Sequence, residues 1–575
     1  MKDFFQLKKN LKKDYSKFNK IKLAILGDSA TQFLSQSIRA MAFEYKLNIE
    51  IFESDFNQIQ SEIIDNNSEL YKFSPEIIII FQSSHKLLQK YNKLNISQQI
   101  TLAQEELDEI QNLNNNINEN INAKIIYYNY NEINDYVYGN YANKIENSFI
   151  FQLRKLNYNL MIFATKYTNF YICDISSIQN ITGRGALFQN TIYINADMHL
   201  SIDVLPEIAS NTLDIISAIN GKIKKCIIVD LDNTMWGGVI GDDGIENIQI
   251  GSLGIGKAFT EFQYWLKKLK NRGIILAVCS KNTKSVAKEV FIKHPEMVLK
   301  LDDFAIFVAN WENKADNIKH IQQVLNISFD SMVFIDDNPF ERNLVRDKIK
   351  DICVPELPED PAEYLDYLYS LNLFDTISIS DDDIKRTEFY QVENKRKIVE
   401  SSYSNIDDYL KKLEMIATVE EFNTFNTPRI AQLSQRSNQF NLRTIRYTEN
   451  DIKKILESDK YYTFSFKLKD KFGDNGLISV VILKKDNNKT LFIDTWFMSC
   501  RVLKRGMESF VLNTLVNFAL DKDVSFLKGE YIETKKNDLV KLHYKNLGFT
   551  QKDKYWYLSL NDYKTKKCYI NNNTL

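Results

Sequence analysis

The chain is 575 residues long, 44% hydrophobic and 26% charged, with a formal net charge of −2. This is ordinary globular composition, at a length that suits roughly three or four domains. The balanced charge excludes a global field for nucleic acid or an anionic membrane, and no apolar run approaches the about 18 residues that a membrane-spanning helix needs.

The first segment, MKDFFQLKKNLKKDYSKFNK, is basic but has no apolar stretch and no small-residue cleavage site, so it does not read as a secretory signal. Six cysteines, at 173, 226, 279, 353, 500 and 568, lack CxxC spacing. With five dispersed histidines they predict a reducing, cytoplasmic setting without a disulfide framework or a zinc site. Apolar runs at 22–26, 76–81 and 123–128 predict parallel strands covered on both faces, separated by helical segments such as 148–166. Residues 1–220 therefore read as an α/β domain. Leu26-Gly27-Asp28-Ser29, after its first strand, is similar to the nucleophile block of SGNH hydrolases. The resemblance implies an SGNH- or flavodoxin-like fold, with Ser29 as the nucleophile and Asp197-Met198-His199 as its acid–base partners. That family spaces these partners as Asp-x-x-His, and it has glycine and asparagine blocks for an oxyanion hole where this chain has Gln82-Ser83-Ser84-His85. A serine without base and oxyanion donors lacks most of its machinery, so the domain is expected to be a non-catalytic scaffold, with Ser84 and His85 structural.

Cys226-Ile227-Ile228-Val229 predicts a short buried strand, and Asp230-Leu231-Asp232-Asn233-Thr234 follows at once. Two carboxylates separated by one residue at a buried strand end are costly unless a cation or a proton neutralises them. Such a pair suits binding a hard metal ion and attacking phosphorus. By itself the pattern also fits a strand ending in a turn capped by Asp232 or Asn233. Further predicted strands near 274–278, 304–308 and 332–335, with an amphipathic helix over 257–270 stopped by Gly273, make residues 221–375 a second α/β domain. Three more groups stand near the carboxyl ends of these strands, where ligands gather in open α/β sheets: Ser280, Lys314 in NWENKADN, and Asp336-Asp337.

In this order the set resembles the four motifs of the haloacid dehalogenase (HAD) superfamily of phosphotransferases. The resemblance implies a capless, Rossmann-like core in which Asp230 attacks phosphorus and forms an aspartyl-phosphate. Asp232 would protonate the leaving oxygen and later activate water, and Lys314 would stabilise developing charge. The family also implies Mg2+ held by Asp230, the backbone carbonyl of Asp232, Asp336 and Asp337, with Asp336 the direct ligand and Asp337 behind it or water-bridged. Thr234, Ser280, Lys281 and Asn282 are the expected phosphate contacts, Thr234 reading equally as a turn residue. The short spacing between the first two motifs leaves little room for a large cap, so the site is expected to be open.

Longer stretches narrow the resemblance. TMWGGVIGDDGIENIQIG, FIDDNPFERNLVR, SNQFNLRT and SCRVLKRGME are similar to the FkbH-like family, over residues from about 224 to 560. Some members of that family make glyceryl thioesters on an acyl carrier protein from a phosphorylated triose acid, and others serve surface-polysaccharide pathways. The implied reading is a Mg2+-dependent phosphatase or phosphotransferase acting on a phosphorylated small acid, coupled to glyceryl or acyl transfer onto a carrier protein. The alternatives are a stand-alone phosphomonoesterase with accessory domains and a non-catalytic assembly protein of a polysaccharide pathway. No nucleic acid and no membrane insertion are expected.

Pro355-Glu-Leu-Pro-Glu-Asp-Pro361 reads as a connector, residues 376–403 as a linker or helix, and 404–565 as a third, α+β domain with strands at 462–467, 477–484 and 490–497. Arg501-Val-Leu-Lys-Arg-Gly506, ahead of a helix over 508–520, resembles the pyrophosphate loop of GNAT acyltransferases, with Lys504 where that pattern has glycine. The segment 537–549 resembles the next element of that fold and puts Tyr544 at the position that protonates a leaving thiolate. The likeness implies an acyl-CoA or carrier-protein phosphopantetheine as cofactor. Cys500, beside Arg501 and a helix N-terminus, is a candidate acyl-carrying thiol. The plainer readings are a small core cysteine and a tyrosine packed at a helix end.

Overall fold

The computed structural model describes residues 2–573 except 380, 401, 402, 404, 438, 500, 501 and 535. The chain divides into two compact units, residues 1–220 and 221–575.

In the first unit, β1 (Asn19–Gly27), β2 (Leu47–Glu53), β3 (Ile77–Phe81), β4 (Lys124–Tyr128) and β5 (Phe170–Cys173) form one parallel sheet in the order β2-β1-β3-β4-β5. This is the flavodoxin-like doubly wound order. Every residue of β3 is buried, which is why its sequence is a continuous apolar run rather than an alternation. The strand order reverses between β1 and β3, and the carboxyl ends there carry Asp28 and Ser83.

The second unit begins with β6 (Cys226–Val229), β7 (Ile275–Ser280), β8 (Phe304–Ala309) and β9 (Met332–Ile335), all parallel in the order β8-β7-β6-β9. Side chains alternate across the sheet. Ile227 and Val229 pack with Phe259, Phe262 and Leu266 of the helix Gly256–Asn271. Cys226 and Ile228 pack with Ile318, Ile321 and Leu325 of the helix Lys314–Leu325. Burying each such side chain is worth about 1.5–3 kcal/mol, and this two-sided cover holds the four carboxyl ends on one edge. Between β6 and the helix Gly256–Asn271 there is only the one-turn helix Ile240–Asp243 and loop, so no cap domain is inserted between these two elements.

The proline-rich connector is built in rather than loose. Glu356 accepts from Arg342 Nε at 2.9 Å and also pairs with Arg346, and the following helix Tyr364–Ser370 buries Tyr364 and Leu368 in the core. The helix Arg386–Glu400 lies along β8, with Gln391 Nε2 donating to the carbonyls of Asp302 (2.9 Å) and Phe304 (3.1 Å).

The rest of the unit is an eight-stranded mixed sheet. Its strands are β10 (Met415–Glu420), β11 (Tyr461–Asp470), β12 (Gly473–Asn487), β13 (Thr490–Met498), β14 (Phe526–Glu530), β15 (Thr550–Lys552), β16 (Tyr555–Ser559) and β17 (Ile570–Asn572). Their order is β15-β16-β14-β13-β12-β11-β10-β17, and β13 and β14 are parallel neighbours. The helix Met507–Asp521 packs Val511, Leu512, Leu515 and Val516 against it. Among the described residues no helix is long and apolar enough to cross a membrane.

Candidate active site

The strand β6 delivers two carboxyls into different surroundings. Asp230 continues the sheet, its N–H donating to the Ile335 carbonyl at 3.0 Å. Its Oδ2 accepts from Lys314 Nζ at 2.7 Å, and the same ammonium donates to Asp336 Oδ2 at 2.6 Å. Lys314 is only 2% exposed and Asp336 0%, so this is a desolvated triad rather than a surface pair. Lys314 is put there by its helix, whose N-cap, Asn313, accepts from Ala315 N–H at 2.8 Å.

Asp232 faces a different set of partners. Its Oδ1 accepts from Trp236 Nε1 and from the Ile240 N–H, each at 3.0 Å, and its Oδ2 accepts from Asn282 Nδ2 at 2.8 Å. The intervening Leu231 is buried, and Asn233 turns the chain at φ +52°, a left-handed conformation asparagine tolerates. Thr234 and Asp337 face each other: the Thr234 hydroxyl lies 3.2 Å from Asp337 Oδ1 and 3.2 Å from the Asp337 N–H that donates to it.

Burial raises the Asp232 carboxyl above the usual carboxylate range, and the nearby Asp230 charge adds to this. Burial, then Asp230, raises Asp337 as well. The Asp336 carboxyl is pushed up to about 7 by burial and by Asp230, against the pull of Lys314. Lys314 is held protonated: burial opposes its charge, but Asp230 and Asp336 together outweigh burial. One oxygen, Asp230 Oδ1, is buried with no hydrogen-bond partner. Asp230, Asp336 and Asp337 each present an oxygen within 4.8 Å of the others.

Of the other expected phosphate contacts, Ser280 closes β7 and is buried, and Asn282 reaches Asp232. Lys281 turns away to Glu341, Nζ to Oε1 at 2.6 Å. Sequence reasoning singled out neither Trp236 nor Arg342. Arg342, 5% exposed, donates from Nη1 to the backbone carbonyls of Asp336 (2.9 Å) and Asp337 (2.6 Å) while Glu356 holds its other side. The signal for both was inside the quoted runs TMWGG and FIDDNPFER: an indole four residues past Asp232 and a guanidinium on the helix that follows Asp337.

Residues 22–217 match the family described as FkbH, N-terminal domain. A solved structure, the N-terminal part of the protein BF1531 from Bacteroides fragilis containing a phosphatase domain complexed with Mg, is 55% identical. It covers 66% of this chain and 100% of its own, with a TM-score of 0.64. The chain belongs to the FkbH-like family of the HAD superfamily. No curated protein matches it. The ribosomal-protein-S18-alanine N-acetyltransferase from Escherichia coli is also similar, at 14% identity over 25% of this chain and 94% of that one, with a TM-score of 0.20.

Elsewhere in this FkbH-like chain the candidate residues are more scattered. Cys500 and Arg501 lie outside the described residues. Gly506 takes φ +80° ahead of the helix Met507–Asp521, and Lys504 takes φ +65°, where glycine would be unstrained. Tyr544 is 1% exposed, its ring pressed on Gly529, and burial holds its phenol well above the usual range. In the first unit, His199 Nε2 lies 3.2 Å from Asp197 Oδ1, while His199 Nδ1 and the buried Ser29 hydroxyl have no hydrogen bond of good geometry. Ser84 donates to the Asn131 carbonyl at 2.6 Å and His85 stacks on Phe188 at 4.1 Å, both packing roles.

Proposed function

We propose that this chain is a Mg2+-dependent phosphatase that works through an aspartyl-phosphate on Asp230. The division of labour between the two β6 carboxyls carries the reading. Asp230 sits against the Lys314 ammonium and beside the oxygens of Asp336 and Asp337, the setting of a nucleophile at a metal site. Asp232 is oriented by three donors and held above the usual carboxylate range, the setting of a proton donor.

The donor set fits Mg2+. Oxygens of Asp230, Asp336 and Asp337 converge, one Asp230 oxygen lacks any partner, and the Asp232 carbonyl is the fourth protein group of the motif. When bound, the ion supplies positive charge that offsets repulsion between the carboxylates and an incoming phosphate. Asp230 attacks phosphorus as the bond to the leaving oxygen breaks, and Asp232 gives that oxygen its proton. Asp232, now ionised, takes a proton from the water that cleaves the aspartyl-phosphate and returns to its starting state. Trp236, Ile240 N–H and Asn282 keep its carboxyl in place through both steps. Lys314 offsets the charge at Asp230 and Asp336.

The substrate in this reading is a phosphorylated small acid, and family membership supports coupling to glyceryl or acyl transfer onto a carrier protein. Burial of Tyr544 favours a second reading, a phosphomonoesterase with accessory domains. Phosphate release from a panel of phosphorylated metabolites with Mg2+, wild type against Asp230→Asn, tests both. Turnover that Asp230→Asn abolishes is the expected result, and equal turnover in both proteins would sink the mechanism. A thioester adduct on a carrier protein, seen by mass spectrometry with a glyceryl donor, would select the first reading; turnover without one would select the second.

A further inference from the structure

The segment that leaves β9 comes back past the ends of two neighbouring strands. Cys353 is paired beside β9: its N–H donates to the Met332 carbonyl at 3.1 Å, and its carbonyl accepts from the Phe334 N–H at 2.9 Å. Three prolines, at 355, 358 and 361, keep the next residues out of an α-helix, and the helix Tyr364–Ser370 starts only after them. On the way Glu356 takes its place behind Arg342, whose other side holds the carbonyls of Asp336 and Asp337. The Glu356 N–H also donates to the Tyr367 hydroxyl at 3.1 Å, which ties the two ends of this stretch together. Residues 355–367 therefore form a strap, with one end fixed behind the loop that follows β9. The strand beside β9 is β6, and the other end of the strap reaches the loop that follows it.

Tyr364 makes that contact. It is 3% exposed, with its ring edge-on to Phe259 and Phe262, each at 6.4 Å. From this buried position its hydroxyl donates to the Asn233 carbonyl at 3.2 Å. Burial, and next to it the charge of Asp337, pushes the phenol up to about 12, so the hydroxyl keeps its proton near neutral pH. Asn233 stands between Asp232 and Thr234 at φ +52°. Asparagine tolerates the left-handed region without strongly preferring it, so its contacts decide whether the turn persists. Asn233 Oδ1 accepts from the Gly238 N–H at 2.9 Å, and the Asn233 N–H donates to the Gly238 carbonyl at 3.3 Å. Those two bonds stay within one loop. The Tyr364 hydroxyl holds the turn from a different element. On one side of the turn is the Asp232 carbonyl, and on the other is Thr234, whose hydroxyl lies 3.2 Å from Asp337 Oδ1.

We infer that Tyr364 is a positioning residue of the metal site. Its hydroxyl pins the Asp232-Asn233-Thr234 turn in its left-handed shape, and so sets where the Asp232 carbonyl stands relative to Asp336 and Asp337. With Glu356 and Arg342 at its other end, the strap grips both acidic loops at once. Mg2+ demands oxygens at nearly fixed distances and angles, so it binds more tightly when both loops are held before it arrives. The strap itself bonds to none of the groups proposed to meet the ion: Tyr364 acts through Asn233, and Glu356 acts through Arg342. The inference rests on the Mg2+ site of the proposed function and adds to it a residue from a segment that otherwise reads as a connector.

The test uses the full chain. Metal-free wild type, Tyr364→Phe and Tyr369→Phe are titrated calorimetrically with Mg2+; Tyr369 is on the same helix but 52% exposed, and serves as the control. Amide hydrogen exchange is followed in the metal-free proteins at Asn233 and Thr234, with Ile227 and Ile228 of β6 as internal controls. Phenylalanine keeps the buried ring and removes only the hydroxyl, and circular dichroism checks the fold. Tyr364→Phe should raise the Mg2+ Kd about 10–100-fold, the usual worth of a group that orients ligands from behind. It should also speed exchange at Asn233 and Thr234 but not in β6. Tyr369→Phe should change neither. Tyr367→Phe, which unties the strap without altering Tyr364, should shift both readouts the same way by less, and it decides the matter if Tyr364→Phe does not fold. A tyrosine that served only the core would lower the urea midpoint and leave the ion alone, so a Kd within about twofold of wild type would overturn the inference. A weaker Kd with unchanged exchange at both turn amides would overturn it as well, because the effect would not run through the turn. Wild type that takes up no Mg2+ would sink the metal reading itself, and the exchange rates would then still show whether Tyr364 holds the turn.

Discussion

Replacing Arg342 by lysine should weaken Mg2+ binding although every residue proposed to meet the ion is left unchanged. The guanidinium makes two bonds to the carbonyls of Asp336 and Asp337 and two contacts with Glu356, almost entirely out of water. Lysine keeps the charge but has one nitrogen and no planar fork, so it cannot hold the carbonyl pair and Glu356 together. Hydrogen bonds to a charged group are worth about 1.5–3 kcal/mol each, and losing one or two of them lets the Asp336-Asp337 segment drift. Groups that orient ligands from behind typically cost about 10–100-fold in metal affinity when removed, or about 1.4–2.7 kcal/mol. Calorimetric titration of metal-free protein with Mg2+ reads this directly, with circular dichroism confirming the fold. Glu356→Gln should shift affinity the same way by less. A folded Arg342→Lys protein whose Kd stays within about twofold of wild type would refute the idea that Arg342 positions the ligands.

Asp232→Asn should lower kcat by about 10²- to 10⁴-fold, the usual worth of a general acid and base, and rapid-quench phosphate release measures it. Magnesium affinity should depend on pH through Asp336. In the metal-free protein that carboxyl keeps its proton until pH rises through about 7, and the ion needs it ionised, so the apparent Kd should rise about tenfold per unit below that point and level off above it. In the first unit, burial pushes the Asp28 carboxyl up to about 6, against the pull of the Ser83 N–H. A raised acid is penalised when ionised, so the cost is absent below its unfolded value near ~3.9 and complete above about 6, at most ~3 kcal/mol. Asp28→Asn should therefore stabilise the protein at high pH and lose that advantage as pH falls through this window. Urea unfolding at two pH values checks it.

Asp230, Ser280 and Asp336 were legible because each sits at the end of a short, mostly apolar strand, where sequence position nearly fixes place in a parallel sheet, whereas Lys314 opens the helix that follows β8. The reach of individual side chains was less so. Lys281 follows Ser280 directly and suggested a phosphate contact, yet successive residues at a strand end point apart, and its ammonium goes to Glu341. Arg342 serves the site only because the proline-rich connector folds back and sets Glu356 behind it. That contact depends on tertiary packing which no local pattern encodes.

The central claim is that Asp230 carries the phosphoryl group. Quenching the reaction with acid during turnover, digesting, and locating the adduct by mass spectrometry tests it most directly, with Asp232→Asn used to slow the hydrolysis step. The account predicts a phosphoryl adduct on the peptide bearing Asp230, absent from Asp230→Asn. Phosphate released at the wild-type rate by Asp230→Asn, with no adduct in either protein, would contradict it.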